Sequence, residues 1–168
     1  GILRMDVLHQ DMERITAFYH NHGYLDAKVG EPEVAHQDNG LSITFPVEEG
    51  QRYRLGTVDI RGDLIKDKTE MLRTLKIRDE EYLNRQTMRE DIVRLTDLYA
   101  EQGYAYTEIN PRINKAPTGN RIDLVLDINQ GPVVYVNRVE IQGNTRTRDN
   151  VIRRDIALEE GSKFDSKA

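Results

Sequence analysis

The sequence predicts an α+β fold built from tandem repeats, and two observations support this prediction. A shift of 80 residues places Asp11 on Asp91 and the pair Gly23-Tyr24 on Gly103-Tyr104, so the chain contains an internal repeat. Each copy has one segment in which apolar residues recur at helical spacing, followed by segments in which apolar and polar residues alternate. Self-similarity at a period of tens of residues is typical of stacked supersecondary units.

The composition excludes several classes of protein. With 168 residues, 38% of them hydrophobic and 32% charged, the chain has the composition of a folded globular protein. Its 24 Lys and Arg residues are interleaved with 29 acidic residues, so we expect no nucleic-acid partner. The absence of cysteine excludes disulfides and thiol catalysis. The apolar runs are too short to span a bilayer.

Each copy contains a long amphipathic helix. Its apolar residues are spaced by four, three and four positions, which places them on one helical face. They are Leu8, Met12, Ile15 and Tyr19 in the first copy and Met88, Ile92, Leu95 and Tyr99 in the second. Each helix is expected to end at a glycine, Gly23 or Gly103, because glycine readily adopts a left-handed capping conformation. We expect Tyr19 and Tyr99 to pack in a core rather than to bind a ligand.

A hairpin follows each long helix. The second strand of each hairpin alternates apolar and polar residues. The apolar positions are Leu41, Ile43, Phe45 and Val47 in one copy and Ile122, Leu124, Leu126 and Ile128 in the other. Turn residues precede both strands, at 38–40 and 117–120. The first strands are predicted at 27–34 and 106–114. Each contains a proline, Pro32 or Pro111, and is therefore placed at a sheet edge.

The remaining elements are a leading strand and a short helix. Leading strands are predicted at 53–60 and 134–141, each after a glycine, and a short helix at 67–75 with a weaker counterpart at 148–156. The complete unit therefore runs strand, helix, helix, strand, strand. We predict a three-stranded mixed sheet covered on one face by two helices, with the leading strand parallel to the last strand and the second strand exposed.

Only one copy of this unit is complete in the chain. The predicted division is the C-terminal part of a repeat at 1–52, a complete repeat at 53–132 and the N-terminal part of a following repeat at 133–168. The two partial copies contain complementary elements, and their unpartnered apolar surfaces are costly in water. We therefore expect that the chain can self-associate head to tail through them.

The boundaries between copies carry a family resemblance. Residues 49–53 with 58–62, and 130–134 with 139–144, both have a glycine followed by a strand of the form Val-x-Ile-x-Gly. Together with the Tyr-x3-Gly-Tyr exit of each long helix, this pattern resembles the POTRA domain. The resemblance covers nearly the whole chain. It implies tandem POTRA repeats in the periplasmic portion of an outer-membrane protein assembly factor of the BamA type.

The function that the resemblance implies is binding of polypeptide. The implied partners are unfolded outer-membrane β-barrel precursors, accessory lipoproteins and the protein's own C-terminal membrane β-barrel. An unpaired sheet edge can accept an extended peptide by β-augmentation. The residues assigned to this role are Tyr106, Thr107, Glu108, Ile109, Asn110, Pro111, Arg112 and Ile113, with Ala27, Lys28 and Val29 in the first copy. The alternatives are the POTRA arm of a two-partner secretion transporter and a purely structural spacer.

No catalytic or cofactor site is predicted. His20 and His22 are two residues apart at a helix end and so point in different directions, which does not suit a metal site. The glycines lie at element ends rather than in a phosphate-binding loop, so no nucleotide is expected. No nucleophile and base recur together at equivalent positions. We therefore expect neither an enzyme nor a cofactor.

Overall fold

A computed structural model of the chain describes residues 3–143, and in the complete repeat the helices and strands follow the predicted order. The helices are α1 (Met5–His20), α2 (Lys68–Arg73) and α3 (Arg85–Glu101), with a 3₁₀ turn at Lys76–Asp79. The strands are β1 (Lys28–Val29), β2 (Glu33–Gln37), β3 (Gly40–Thr44), β4 (Val47–Glu48), β5 (Arg54–Gly62), β6 (Glu108–Lys115) and β7 (Arg121–Asn129). The short helix predicted at 148–156 lies outside the described residues.

The complete repeat has the predicted mixed sheet. Its strand order is β5-β7-β6, with β5 parallel to β7 and β6 antiparallel to β7. Alternate residues of β7 are buried, and they pack with Ile60 of β5 and Tyr99 of α3 in one core that also includes Met71 of α2. The prediction that the second of the three strands in the complete unit is exposed at a sheet edge is confirmed, and this strand is β6.

Local sequence explains where α3 begins and ends. The side chain of Asn84 accepts a hydrogen bond from the amide of Thr87 at 3.2 Å, which caps the first turn. The helix then buries Met88, Leu95 and Tyr99, as its apolar spacing predicts. It ends before Gly103, which has φ of 93° and so takes the left-handed conformation expected after a helix.

The hairpin of the first copy differs from its prediction, because each of its two long strands is interrupted. The structure has two short ladders, β1 with β4 and β2 with β3, in place of one continuous hairpin. Pro32 and Pro46 lie at the interruptions and have no amide hydrogen to donate to a ladder. Gly30 instead donates its amide to the carbonyl of Pro46 at 2.8 Å.

The prediction of a strand at 134–141 is wrong, because the structure shows no strand there. This segment has only an isolated bridge residue at Tyr135 and no ladder. A strand needs a partner, and β5, its counterpart in the complete repeat, forms its ladder with β7. No strand among residues 3–143 offers the segment an equivalent ladder.

Candidate functional site at the sheet edge

The main-chain groups of β6 divide into two sets. The amide of Ala116, just after the strand, donates to the carbonyl of Arg121 at 2.9 Å, which fixes the alternation of the ladder. Residues directly opposite each other in an antiparallel pair alternate between bonded and non-bonded pairs. Residues 108, 110, 112 and 114 therefore bond to β7. The main-chain groups of 109, 111, 113 and 115 face away from it, and no other strand within 3–143 pairs with them.

Pro111 interrupts this open edge at its centre. Ile109, Ile113 and Lys115 each present an outward amide hydrogen and carbonyl, whereas Pro111 presents only a carbonyl. An added strand would therefore find a gap between two bonding stretches. Prolines on edge strands reduce uncontrolled strand addition. The edge is open but limited in how many hydrogen bonds it can form.

The side chains of β6 give the edge two different faces. Ile109 is buried and Ile113 packs against the core, so the strand is anchored from one side. On the other face Arg112 forms an ion pair with Asp127 of β7. The strand is therefore held in place by its own repeat, and its outer main chain remains accessible.

Two predicted site residues lie just before β6 and differ in accessibility. Tyr106 has 69% of its surface exposed, so its ring is an open aromatic surface beside the start of the edge. The hydroxyl of Thr107 contacts the carbonyls of Tyr104 at 2.9 Å and Gln130 at 3.1 Å. Thr107 therefore orients the turn into the strand, while Tyr106 is free to contact a ligand.

The residues assigned in the first copy, 27–29, do not form an edge like that of β6. Ala27 is buried, and Lys28 with Val29 forms a strand of only two residues that pairs with β4. However, the Nζ of Lys115, at the end of β6, lies 3.2 Å from both carboxylate oxygens of Asp26. The structure therefore brings the end of the β6 edge next to the start of β1, without joining them in one sheet.

The sequence predicts a short, stiff joint around residues 51–52, but it does not identify the side chains that form the joint. We call Asp26, Arg52, Tyr53 and Tyr82 the joint cluster. The hydroxyl of Tyr53 donates to Asp26 at 2.8 Å, and the guanidinium of Arg52 lies 3.5 Å from the centre of the Tyr82 ring. Arg52 Nε also donates to a carbonyl of the first copy, that of His22, at 2.8 Å. The sequence signal was the short linker between the two copies, which suits a fixed joint.

Hydrogen bonds at the joint favour the charged forms of Asp26 and Lys115. The hydrogen bond from Tyr53, followed by that from Lys115, lowers the pKa of Asp26. Contacts with Tyr53 and then Asp26 raise the pKa of Lys115.

Among residues 3–143, no group of three or more His, Asp and Glu side chains is placed to hold a metal ion. None of the helices in this part of the chain is long and apolar enough to cross a membrane.

The family model for POTRA, described as a surface antigen variable number repeat, matches residues 1–50, 53–131 and 134–168. The chain belongs to the POTRA family. Domains of this family in BamA proteins are scaffold modules without catalytic activity, so the chain is not an enzyme. The domain boundaries predicted after residues 52 and 132 stay a prediction.

The chain is similar to outer membrane protein assembly factors. It is 38% identical over 169 residues to BamA of Nitratidesulfovibrio vulgaris, with 98% of this chain and 21% of that protein covered. It is 33% identical over 160 residues to BamA of Neisseria meningitidis serogroup B, with 94% and 20% covered. The chain thus spans about a fifth of the length of these relatives.

Solved structures support the same fold. The crystal structure of Haemophilus influenzae BamA POTRA3-5 matches with a TM-score of 0.77 and 22% identity, covering 95% of this chain and 64% of that one. BamA from Haemophilus ducreyi lacking POTRA domains 1-3 matches with a TM-score of 0.61 and 18% identity, covering 76% and 24%. POTRA repeats of BamA proteins therefore share the architecture described above.

Proposed function

We propose that the chain is part of the periplasmic POTRA arm of an outer-membrane protein assembly factor and binds extended client polypeptide at the β6 edge. The observation that carries this proposal is the row of outward main-chain groups on β6, which no other strand of the described chain pairs. The similarity to BamA proteins supports the role in outer-membrane protein assembly. Accessory lipoproteins and a C-terminal membrane β-barrel are its further proposed partners.

Binding at this edge depends on main-chain chemistry. An incoming strand would bond to the outward groups of Ile109, Ile113 and Lys115, and such bonds depend little on the client's side chains. This suits a module that receives many different β-rich precursors. The gap at Pro111 limits the number of bonds, and ordering of the client opposes binding. Binding is therefore weak and reversible, as transfer of a client requires.

The exposed ring of Tyr106 adds a preference for apolar or aromatic client residues. It lies next to the first residues of the edge and has 69% of its surface in solvent. Aromatic side chains contribute large contact areas in binding interfaces. We expect clients with an aromatic residue near the end of the bound segment to bind more tightly.

The proposal is tested by titrating the chain with an extended peptide taken from a strand of an outer-membrane β-barrel. Backbone amides of 108–115 are expected to shift in NMR spectra, and those of 124–128 to shift less because β7 is already paired on both sides. Shifts confined to the helices would contradict the edge site.

A substitution at the gap sharpens this test. Pro111→Val adds one outward amide hydrogen to β6, and one extra hydrogen bond is expected to tighten binding about threefold to tenfold. Pro117→Val makes the same chemical change in the exposed hairpin loop and is expected to leave binding unchanged. Equal effects of both substitutions would argue against an added strand on β6.

A structural spacer is the second candidate function, and the contacts of the joint cluster favour it. They hold the first copy against the complete repeat without requiring any client. A spacer would show no saturable shift with any extended peptide. The titration described above therefore separates the two functions.

A further inference from the structure

A cleft of about 540 Å³ lies between the first copy and the complete repeat, and none of its lining residues belongs to β6. One wall is formed by α1, with Met12, Glu13 and His20 among the lining residues. The other wall is formed by Arg85 and Arg89 at the start of α3. Its volume is within the usual range for ligand sites of about 300 to 1,000 Å³.

The arginines of this cleft are not neutralised by their surroundings. Within residues 3–143 neither Arg85 nor Arg89 forms a salt bridge, and the Nε of Arg85 is buried with no hydrogen-bond acceptor. Buried donors are nearly always paired, because an unpaired one loses its hydration without compensation. The charge of Arg85 helps to lower the pKa of the nearby Asp26, but the Asp26 carboxylate already accepts hydrogen bonds from Tyr53 and Lys115.

Two histidines, His9 and His20, line the cleft, and the surroundings of His20 lower its pKa. Burial first, and then the charge of Arg85, lower the pKa of His20, with Arg89 acting in the same direction. The lining contains one carboxylate, that of Glu13, and two guanidinium groups, those of Arg85 and Arg89. Because two arginines line the cleft with one glutamate, the lining carries a net positive charge beside an apolar strip that contains Met12 and Ala17.

We propose that this cleft binds an acidic segment of a partner protein, with a Glu or Asp carboxylate on Arg85 and Arg89 and a neighbouring apolar side chain on Met12 and Ala17. Guanidinium groups bind carboxylates through paired, directional hydrogen bonds, and the acceptor that Arg85 Nε lacks is supplied in this way. The cleft is larger than a single small anion needs and has an apolar strip, which favours a peptide over a free anion.

The joint holds both walls at a fixed spacing. The amide of Gln86 donates to the side chain of Asn21 at 3.0 Å, and the amide of Tyr53 donates to the carbonyl of Gly23 at 2.8 Å. Each bond links one copy to the other within a few residues of the cleft. A site that is already formed binds with a smaller entropic cost, so the joint favours ligand binding.

The test uses the 168-residue chain and a short blocked peptide in which glutamate alternates with leucine. NMR resonances of the Arg85 and Arg89 side-chain Nε–H groups and of the His20 ring are expected to shift in a saturable way. The same peptide with glutamine in place of glutamate is expected to bind at least about tenfold more weakly. Equal binding of the two peptides would overturn the proposal.

Substitutions locate the site and separate it from the β6 edge. Arg89→Gln is expected to weaken binding of the acidic peptide about threefold to tenfold, whereas Arg78→Gln, the same change at an exposed residue outside the cleft, leaves it unchanged. Because Arg89 is exposed, its removal is not expected to unfold the chain.

Reversing the charge gives an independent readout. Arg89→Glu is expected to bind a blocked lysine–leucine peptide that the unmodified chain does not bind.

In the titration with the glutamate–leucine peptide, shifts restricted to the β6 amides would overturn the cleft as the site and leave the proposed client edge intact. Saturation by inorganic phosphate at the same concentration as the peptide would overturn the choice of a peptide ligand.

Discussion

The first copy and the complete repeat share one sequence pattern, but side chains at equivalent positions are buried to different extents in the two copies. Tyr99 has none of its surface exposed and its hydroxyl bonds to the carbonyl of Asp63, whereas the equivalent Tyr19 is only half-buried and bonds to Glu49 at 3.3 Å. The side chain of Asp91 is fully buried, and that of the equivalent Asp11 is 40% exposed. The same residue therefore has different roles in the two copies.

The difference follows from the elements that pack against each long helix. In the complete repeat β5 extends the sheet and α2 covers its face, which closes the core around α3. In residues 3–50 no leading strand or short helix packs on α1 and its hairpin, and Val34, Leu41 and Ile43 each expose about two fifths of their surface. Periodicity thus specifies the elements, and the neighbouring elements determine burial.

The largest expected effect of this difference is at the two tyrosines. Tyr99→Ala is expected to lower the free energy of unfolding by about 3 to 5 kcal/mol, because it removes a fully buried ring and leaves a cavity. Tyr19→Ala is expected to cost less than half as much. Urea denaturation with unchanged slopes would measure both. Equal losses would show that the core of the first copy is as closed as that of the complete repeat.

The aspartates are expected to give the next largest difference. Asp91 accepts hydrogen bonds from the amides of Lys76 and Ile77 at 3.1 and 2.8 Å and forms an ion pair with Arg94. Asp91→Ala leaves two amides of the 3₁₀ turn without an acceptor and is expected to cost about 2 to 3 kcal/mol. Asp11→Ala, measured by the same denaturation, is expected to change stability by less than about 0.5 kcal/mol. A small effect at Asp91 would mean that water replaces its carboxylate.

These pairs show what the sequence can predict and what it cannot. The helix faces, the strand order and the exposed position of β6 follow from periodicity, a proline and the rules of chain connection. The role of Asp91 does not, because it depends on a 3₁₀ turn whose amides approach α3 only in the folded repeat. The joint cluster was missed for the same reason, since it joins residues from both copies.

Glycines at the ends of the two leading segments differ as well. Gly62 has φ of 98°, and a Cβ atom there would lie 2.2 Å from the carbonyl oxygen of Ile128. Gly62→Ala is therefore expected to cost about 1 to 3 kcal/mol. At the equivalent Gly143 a Cβ atom would meet nothing within 4 Å, so Gly143→Ala is expected to leave the melting temperature nearly unchanged. A loss of stability at Gly143 similar to that at Gly62 would refute this distinction.

The smallest expected effect concerns acid sensitivity at the joint. The equivalent of Asp26 in the complete repeat is Tyr106, so only the first joint has this carboxylate. Hydrogen bonds from Tyr53 and then Lys115 lower the pKa of Asp26 in the folded chain below its ordinary value of 3.8. A depressed folded pKa contributes stability above the ordinary value, and that stability is lost as the pH falls through the folded pKa.

Because Asp26 is partly exposed, solvent screens this contribution and the shift in urea midpoint is small. The midpoint of the unmodified chain is expected to exceed that of Asp26→Asn at neutral pH. The gap is expected to narrow as the pH is lowered below about 4. Tyr53→Phe should raise the pKa of Asp26, as followed by the carboxyl ¹³C shift, because it removes the strongest hydrogen bond to the carboxylate. A midpoint difference that is independent of pH would show that Asp26 acts at the joint through packing rather than through its charge.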